Sequence, residues 1–215
     1  MLRSINSLIG EVYQSKIVQK EAQLRALQAQ INPHFLYNSL SLINWKAIEI
    51  GAEDISQITT TLSQFYRTTL NKGNDVISIK DEVENTRAYI ELQLIMHNGR
   101  FDYSEQLDER IFDYKMIKLI LQPIVENAIE HGIDQKRNGR GELRLCARLL
   151  EDAIEFTGTD NGPGMEERLI EEVFRHKSTG YGLYNANERL KMFFGEPYGI
   201  RVQSTMGVGT TVIVT

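Results

Sequence analysis

In the run LILQPIVENAIEHG, Asn127 falls on a helical pattern with Glu130 and His131 on the same side. Its amide oxygen is a hard donor of the kind magnesium takes. By itself the residue fits equally well as a buried side chain capping a neighbouring loop. Further on, TDNGPGM puts Asp160 at the end of an apolar strand pattern, followed by Gly162, Pro163 and Gly164. A carboxylate there can accept a hydrogen bond from an amino group such as that of adenine, and the glycines let the backbone approach a ligand closely. An ordinary Asp-Asn-Gly turn has the same composition. In STGYGLYNANERL, Gly180 and Gly182 stand directly before a helix whose unpaired N–H groups and positive dipole end suit a phosphate. A flexible loop ending at a helix start reads the same way. The last segment, GVGTTVIVT, brings Gly207, Gly209 and Thr210 to the start of the final strand, which is also a hairpin signal. Each piece is weak alone. Their order along one α/β segment, each at the end of a strand or helix where such folds bind ligands, joins them into one site.

A nucleophile stands far upstream. In QAQINPHFLYNSLSLINW, His34 follows Pro33 within a helical pattern. An unprotonated imidazole has a ring nitrogen able to attack a γ-phosphorus in line. The competing reading is a histidine in a coiled-coil seam. Pro33 removes a backbone N–H and kinks a helix, which presents its neighbour to a visitor. Asn38, one turn later, can orient the ring or cross-link helices.

The four C-terminal segments resemble the asparagine box and the glycine boxes of the ATPase fold shared by histidine kinases, gyrase and the Hsp90 chaperones, over roughly Phe101 to Thr215. The resemblance implies Asn127 as a magnesium ligand with His131 beside it, and Asp160 as reader of the adenine amino group. It also implies Gly162 and Gly164 shaping the base pocket, Gly180, Gly182 and Leu183 at the phosphates, and Thr210 beside the adenine. The segment between Met165 and Thr179 is then the lid over ATP. QAQINPHFLYNSLSLINW, the Leu-Gln-Pro-Ile-Val-Glu-Asn run and the Asn185-to-Leu190 run are similar to the LytS/YesM-type sensor histidine kinases, across nearly the whole chain. That similarity implies a two-component kinase using ATP and Mg2+. It autophosphorylates His34 and passes the phosphate to a receiver-domain aspartate of a response regulator. Glu130 departs from the pattern, since many related kinases carry a basic residue there; Lys136, Arg137 and Lys177 are the candidates to replace it. Phe35 stands where other kinases place an acidic neighbour of the phosphoacceptor. Glu130 keeps a second expectation open, a degenerate kinase acting as a nucleotide-sensing dimeric scaffold or a response-regulator phosphatase. A gyrase- or chaperone-type ATPase is disfavoured, because Pro123 takes the place of the acidic residue four positions before Asn127.

Composition narrows the classes. Apolar residues make up 41% and charged residues 25%, as in soluble globular chains. The formal charge of -5 and the scattered basic residues leave no positive stripe for a nucleic-acid backbone. Cys146, the single cysteine, excludes an internal disulfide and a cysteine-based zinc cluster. Apolar runs such as IKLILQPIV fall short of the ~20 residues that cross a bilayer, and no signal-peptide pattern opens the chain. The expected location is the cytoplasmic portion of a membrane-anchored bacterial sensor, the chain being a fragment of it.

These residues need elements to hold them. Ile17, Leu24 and Ile31 recur every seven residues, and Leu27 and His34 follow three after the last two, the spacing of a two-stranded coiled coil. The earlier set Ile5, Leu8 and Val12 is in a different phase. Ile55, Ile58, Leu62, Phe65 and Leu70 mark a second amphipathic helix after Gly51, closing at Lys72-Gly73-Asn74-Asp75. Ser78 with Asp81 reads as a capping box that starts a connector helix running to Asn98-Gly99. Beyond it, FDYSEQLDE reads as a strand, Lys115 to His131 as a helix, ELRLCARLL and AIEFTGTD as strands, GLYNANERLKMFF as a helix, and YGIRVQST and GTTVIVT as strands. The expected class is α+β: an N-terminal helical hairpin dimerising as a four-helix bundle, followed by an α/β-sandwich (Bergerat-type) ATP-binding domain. The expected division is 1–22 for a signalling coiled-coil helix, 23–98 for the dimerisation and phosphoacceptor helices with their connector, and 99–215 for the catalytic domain.

Overall fold

The computed structural model describes residues 33–69, 75–175 and 181–215. Within them helices lead into a mixed sheet, as the change of pattern near Phe101 predicts. The seam through Ile17, Leu24, Leu27 and Ile31, the earlier set Ile5, Leu8 and Val12, and the turn at Lys72-Gly73-Asn74 lie outside the described residues. So does the helix expected on the N-terminal side of Pro33.

Helices α1, Pro33–Glu49, and α2, Glu53–Thr69, pack antiparallel. Tyr37 Oη donates to the Tyr66 carbonyl at 3.0 Å, and the Asn44 side-chain oxygen accepts from Ser56 Oγ at 2.7 Å. Leu40, Ala47 and Thr59 are buried there. Leu42, Trp45 and Ile48, three residues apart in turn, stay exposed along α1 as an apolar stripe.

Strand β1, Val76–Ser78, leads into α3, Ile79–Met96. Ser78 Oγ accepts the Asp81 N–H at 3.0 Å, the expected cap. Buried residues surround much of α3 because it lies between two bodies. On one side Phe65 of α2 meets Tyr89 with ring centroids 5.8 Å apart. On the other, Ile79 and Val83 belong to the main core together with Phe156, Leu183, Val212 and Val214. The helix is a connector in sequence and part of the sheet domain's core in space.

The expected helix from Lys115 to His131 is corrected. After β2, Phe101–Leu107, and a short 3-10 turn, Lys115–Ile117 form β3, paired antiparallel with β1. Leu119 has φ +59°, and α4 spans only Gln122–Asn127 before widening into a π-helical turn, Ala128–Ile133. Pro123 supplies the reason. In a first helical turn its missing N–H costs nothing, whereas deeper in a helix it removes a bond and clashes. The wider turn is marked by Asp134 N–H donating to the Ile129 carbonyl, five residues back, at 2.8 Å.

The remaining elements are β4, Gly141–Leu149, β5, Ile154–Asp160, α5, Glu167–Arg175, α6, Tyr181–Phe194, β6, Ile200–Thr205, and β7, Gly209–Val214. The sheet runs β2-β4-β5-β7-β6, with β2 and β4 parallel and the other pairs antiparallel. Along β5, Phe156 and Asp160 turn toward the helices while Thr157 and Thr159 turn away. Helix α5 occupies most of the stretch expected as a lid, and its Val173 and Phe174 pack on the main core. No helix among the described residues is long and apolar enough to cross a membrane.

Candidate functional site

Helix α4 and its π-helical turn press against the end of β5. Gly132, in that turn, approaches so closely that a Cβ on it would overlap the Asp160 carboxylate, and a Cβ on Gly162 would overlap the Gly132 backbone. Only glycine allows this contact. Gly132→Ala is therefore expected to destabilise the chain by about 1–3 kcal/mol through overpacking, read as a lowered urea midpoint with the slope unchanged.

Asp160 is 5% exposed, and its Oδ1 accepts the Gly162 N–H at 2.8 Å. Thr210, its partner in register on β7, lies beside the same carboxyl. Burial pushes this carboxyl above the usual carboxylate range, while the Gly162 donor and the Lys136 charge pull it back. A carboxylate has about four acceptor positions, so the Gly162 donor leaves it able to take a ligand amino group. Lys136 Nζ donates to the Asn161 carbonyl at 2.7 Å, which puts this candidate cation at the Asp160 end. The Asn161 side chain fixes the turn, accepting the Glu142 N–H at 2.9 Å and donating to the Arg140 carbonyl at 3.2 Å. Gly164, with φ +72°, lies against the Thr205 carbonyl, and Thr210 Oγ1 hydrogen-bonds Ser204 Oγ at 2.9 Å.

A second group meets beside α4. Asn127, His131, Gly182 and Leu183 line one cavity of about 240 Å³, together with Glu126 and Glu130. Neither lysine nor arginine is among its described lining residues. Glu130 thus faces the same space as Asn127. An amide and two carboxylates are hard oxygen donors, and their charge favours a divalent cation standing between them and any phosphate. No cluster of three or more His, Cys, Asp or Glu able to hold a metal occurs among the described residues.

Asp160 and Thr210 also border a larger depression of about 860 Å³, lined by Arg144, Thr159, Gln203 and Thr211 on the sheet face turned away from α4 and α6. Asn127, His131 and Gly182 are absent from it, so the two groups of expected site residues border separate depressions. Arg137 lines neither. Gly180 and Lys177 lie outside the described residues. His34 sits on the exposed start of α1, away from both depressions, with its Nδ1 3.3 Å from the Asn38 side-chain nitrogen.

Glu82 is a residue the sequence pattern conceals. It takes the i+3 place of the buried stripe Ile79, Val83, Thr86 and Ile90, and accepts the N–H groups of Leu119, Ile120 and Leu121. A carboxylate on an otherwise apolar stripe is its one signal in the sequence.

Residues 22–101 match the family described as histidine kinase, and residues 112–215 the family of histidine kinase-, DNA gyrase B- and HSP90-like ATPases. Over all 215 residues the chain is 35% identical to the sensor histidine kinase YesM of Bacillus subtilis (strain 168), covering 37% of that protein. It is 32% identical over 209 residues to the sensor protein LytS of Oceanobacillus iheyensis, covering 93% of this chain and 35% of that one. For the sensor histidine kinase BtsS of Escherichia coli (strain K12) the identity is 29% over 201 residues, covering 94% of this chain and 34% of that one. The chain thus spans about a third of the length of these relatives. The catalytic domain of the histidine kinase ThkA superposes with a TM-score of 0.50 over 64% of this chain and 90% of that one, at 17% identity. That likeness concerns the fold.

Proposed function

The chain belongs to the histidine kinase family, and we propose from that premise that it binds ATP beside α4 and transfers the γ-phosphoryl group to His34. The observation that carries the reading is the pairing of two sites on one short helix: the Asp160 carboxyl against Gly132 and Gly162, and Asn127 facing Gly182 one turn earlier. Asn127 ends α4 and Gly132 stands in the π-helical turn that follows, an order that suits a ligand with phosphates at one end and a base at the other.

In this reading Asp160 accepts the adenine amino group, Gly162 and Gly164 shape the base pocket, and Thr210 lies beside the ring. Asn127 holds Mg2+ through its amide oxygen, with Glu126 and Glu130 nearby and His131, Gly180, Gly182 and Leu183 around the phosphates. Bound Mg2+ supplies charge neutralisation across the phosphate chain. The Nε2 lone pair of His34 attacks the γ-phosphorus in line; the N–P bond forms as the bond to the bridging oxygen breaks, and ADP leaves with that electron pair. Asn38 decides which ring nitrogen is available. With its amide N–H directed at Nδ1, the ring proton rests on Nε2; turned over, the amide presents Oδ1 to an Nδ1–H and frees Nε2. Asn38→Ala is expected to slow labelling at saturating ATP about 10-fold, the cost of about one neutral hydrogen bond, with MgATP affinity unchanged in calorimetry.

The exposed stripe Leu42, Trp45 and Ile48 supports a homodimer in which two α1–α2 hairpins form a four-helix bundle. The second chain also offers a route for a nucleotide domain to reach His34. We further propose an aspartate of a response-regulator receiver domain as the next phosphate acceptor, a coiled coil over 1–22, a division between helical and catalytic parts near 98, and placement as the cytoplasmic portion of a membrane-anchored sensor. The degenerate-scaffold alternative rested on Glu130, whose place among oxygen donors fits a cation. The deciding experiment incubates the purified chain with γ-labelled ATP and Mg2+. Acid-labile phosphate on the protein is the expected result, and micromolar MgATP binding without any label would favour the scaffold.

A further inference from the structure

The phosphoryl transfer described above gives Glu82 no task, yet its carboxylate is 1% exposed and fully engaged. Its Oε2 accepts the Leu119 N–H at 2.9 Å, and its Oε1 accepts those of Ile120 and Leu121 at 2.8 and 3.0 Å. Three successive amides converging on one anion form a nest. The nest requires Leu119 to hold φ +59°, a conformation that costs a side-chain-bearing residue about 1–2 kcal/mol and persists only where its surroundings impose it. Immediately after it α4 begins, with Pro123 and Asn127 on the wall of the 240 Å³ cavity and Gly182 opposite.

We propose that Glu82 is a positioning residue for the nucleotide site: by clamping residues 119–121 it makes the placement of α4, and so of Asn127 against Gly182, follow the setting of α3. This rests on the nucleotide reading given above. Helix α3 touches both partners, since Tyr89 packs on Phe65 of the phosphoacceptor hairpin while Ile79 and Val83 pack in the sheet core. A displacement of the hairpin is therefore carried to the start of α4 through one carboxylate. Burial pushes the Glu82 carboxyl above the usual range, and the three N–H donors, with Arg189 of α6, oppose that push. The cost of burying this group is met by backbone donors that α4 itself cannot pair.

Glu82→Gln replaces one accepting oxygen by an NH2 group, which sets donor against donor and releases Leu119. The expected result is an MgATP dissociation constant raised about 10-fold, with the labelling rate at saturating ATP within about twofold of wild type. Adding Leu119→Gly, which adopts φ +59° freely, should bring the affinity back to within about threefold of wild type. A merely structural role would lower the melting temperature and leave the affinity of the folded protein unchanged. Unchanged binding in Glu82→Gln, or a loss that Leu119→Gly does not recover, overturns the inference. If Glu82→Gln does not fold, amide hydrogen exchange in the wild-type chain decides: the 119–121 amides should exchange as slowly as those of β5, and exchange at loop rates overturns it. A wild-type chain that binds no MgATP would overturn the proposed function itself, and this inference with it; normal wild-type binding isolates the outcome to Glu82.

Discussion

His34→Gln is expected to reduce phosphate incorporation from γ-labelled ATP to background, while the MgATP affinity stays within about twofold of wild type. Glutamine approximates the reach and polarity of the imidazole but offers no nucleophile, because its nitrogen lone pair is delocalised into the amide. His34 is exposed at the start of α1, so the replacement leaves no cavity and should alter stability by less than about 0.5 kcal/mol. The variant thus separates chemistry from folding and from binding. Acid-labile label persisting on His34→Gln would move the acceptor to another residue and sink the assignment.

Asp160→Asn is expected to weaken MgATP binding about 100-fold in calorimetry. The amide oxygen can keep the Gly162 N–H bond, but the amide nitrogen then meets the adenine amino group donor to donor. A lost charge-assisted bond together with an unpaired buried donor amounts to about 3 kcal/mol. The same substitution should act in the opposite direction on the ligand-free fold. The Asp160 carboxyl is held above its ordinary value, chiefly by burial. A raised carboxyl contributes stability that is fully present below the unfolded-state value and is lost as the pH rises through the folded-state value. Above the folded-state value wild type therefore carries a buried ionised group that Asp160→Asn lacks. Thermal melts without nucleotide should show the variant more stable at pH 7, with the gap closing as the pH falls toward the ordinary carboxylate range. A variant that binds nucleotide like wild type, or is less stable at pH 7, contradicts this role for Asp160.

Much of the architecture was legible in the chain. The period of α2, the Ser78–Asp81 cap and the alternating strands from Phe101 onward depend on contacts within a few residues, and those are written locally. The helix expected from Lys115 to His131 failed because a long-range partner overrides the local pattern. β3 pairs with β1, where Ser78 stands opposite Lys115 with the 36 residues 79–114 between them, and Glu82 draws residues 119–121 out of helical conformation. Pro123 carried the one local warning that no helix could run through that point.

At the site, the residue types and their order could be read along the chain: an amide on a helix, a carboxylate ending a strand, glycines before the next helix, and a histidine far upstream. These follow from chemistry and spacing along the chain. What they meet depends on the packed fold. It set Gly132 against Asp160, turned Lys136 to the Asn161 carbonyl, brought Gly182 to the same cavity as Asn127, and put the Glu82 carboxylate under the start of α4. Each of these contacts joins residues whose neighbours in sequence do not predict the approach, because close packing between separate elements, and the cost of burying a charge unpaired, are settled only when the whole core forms.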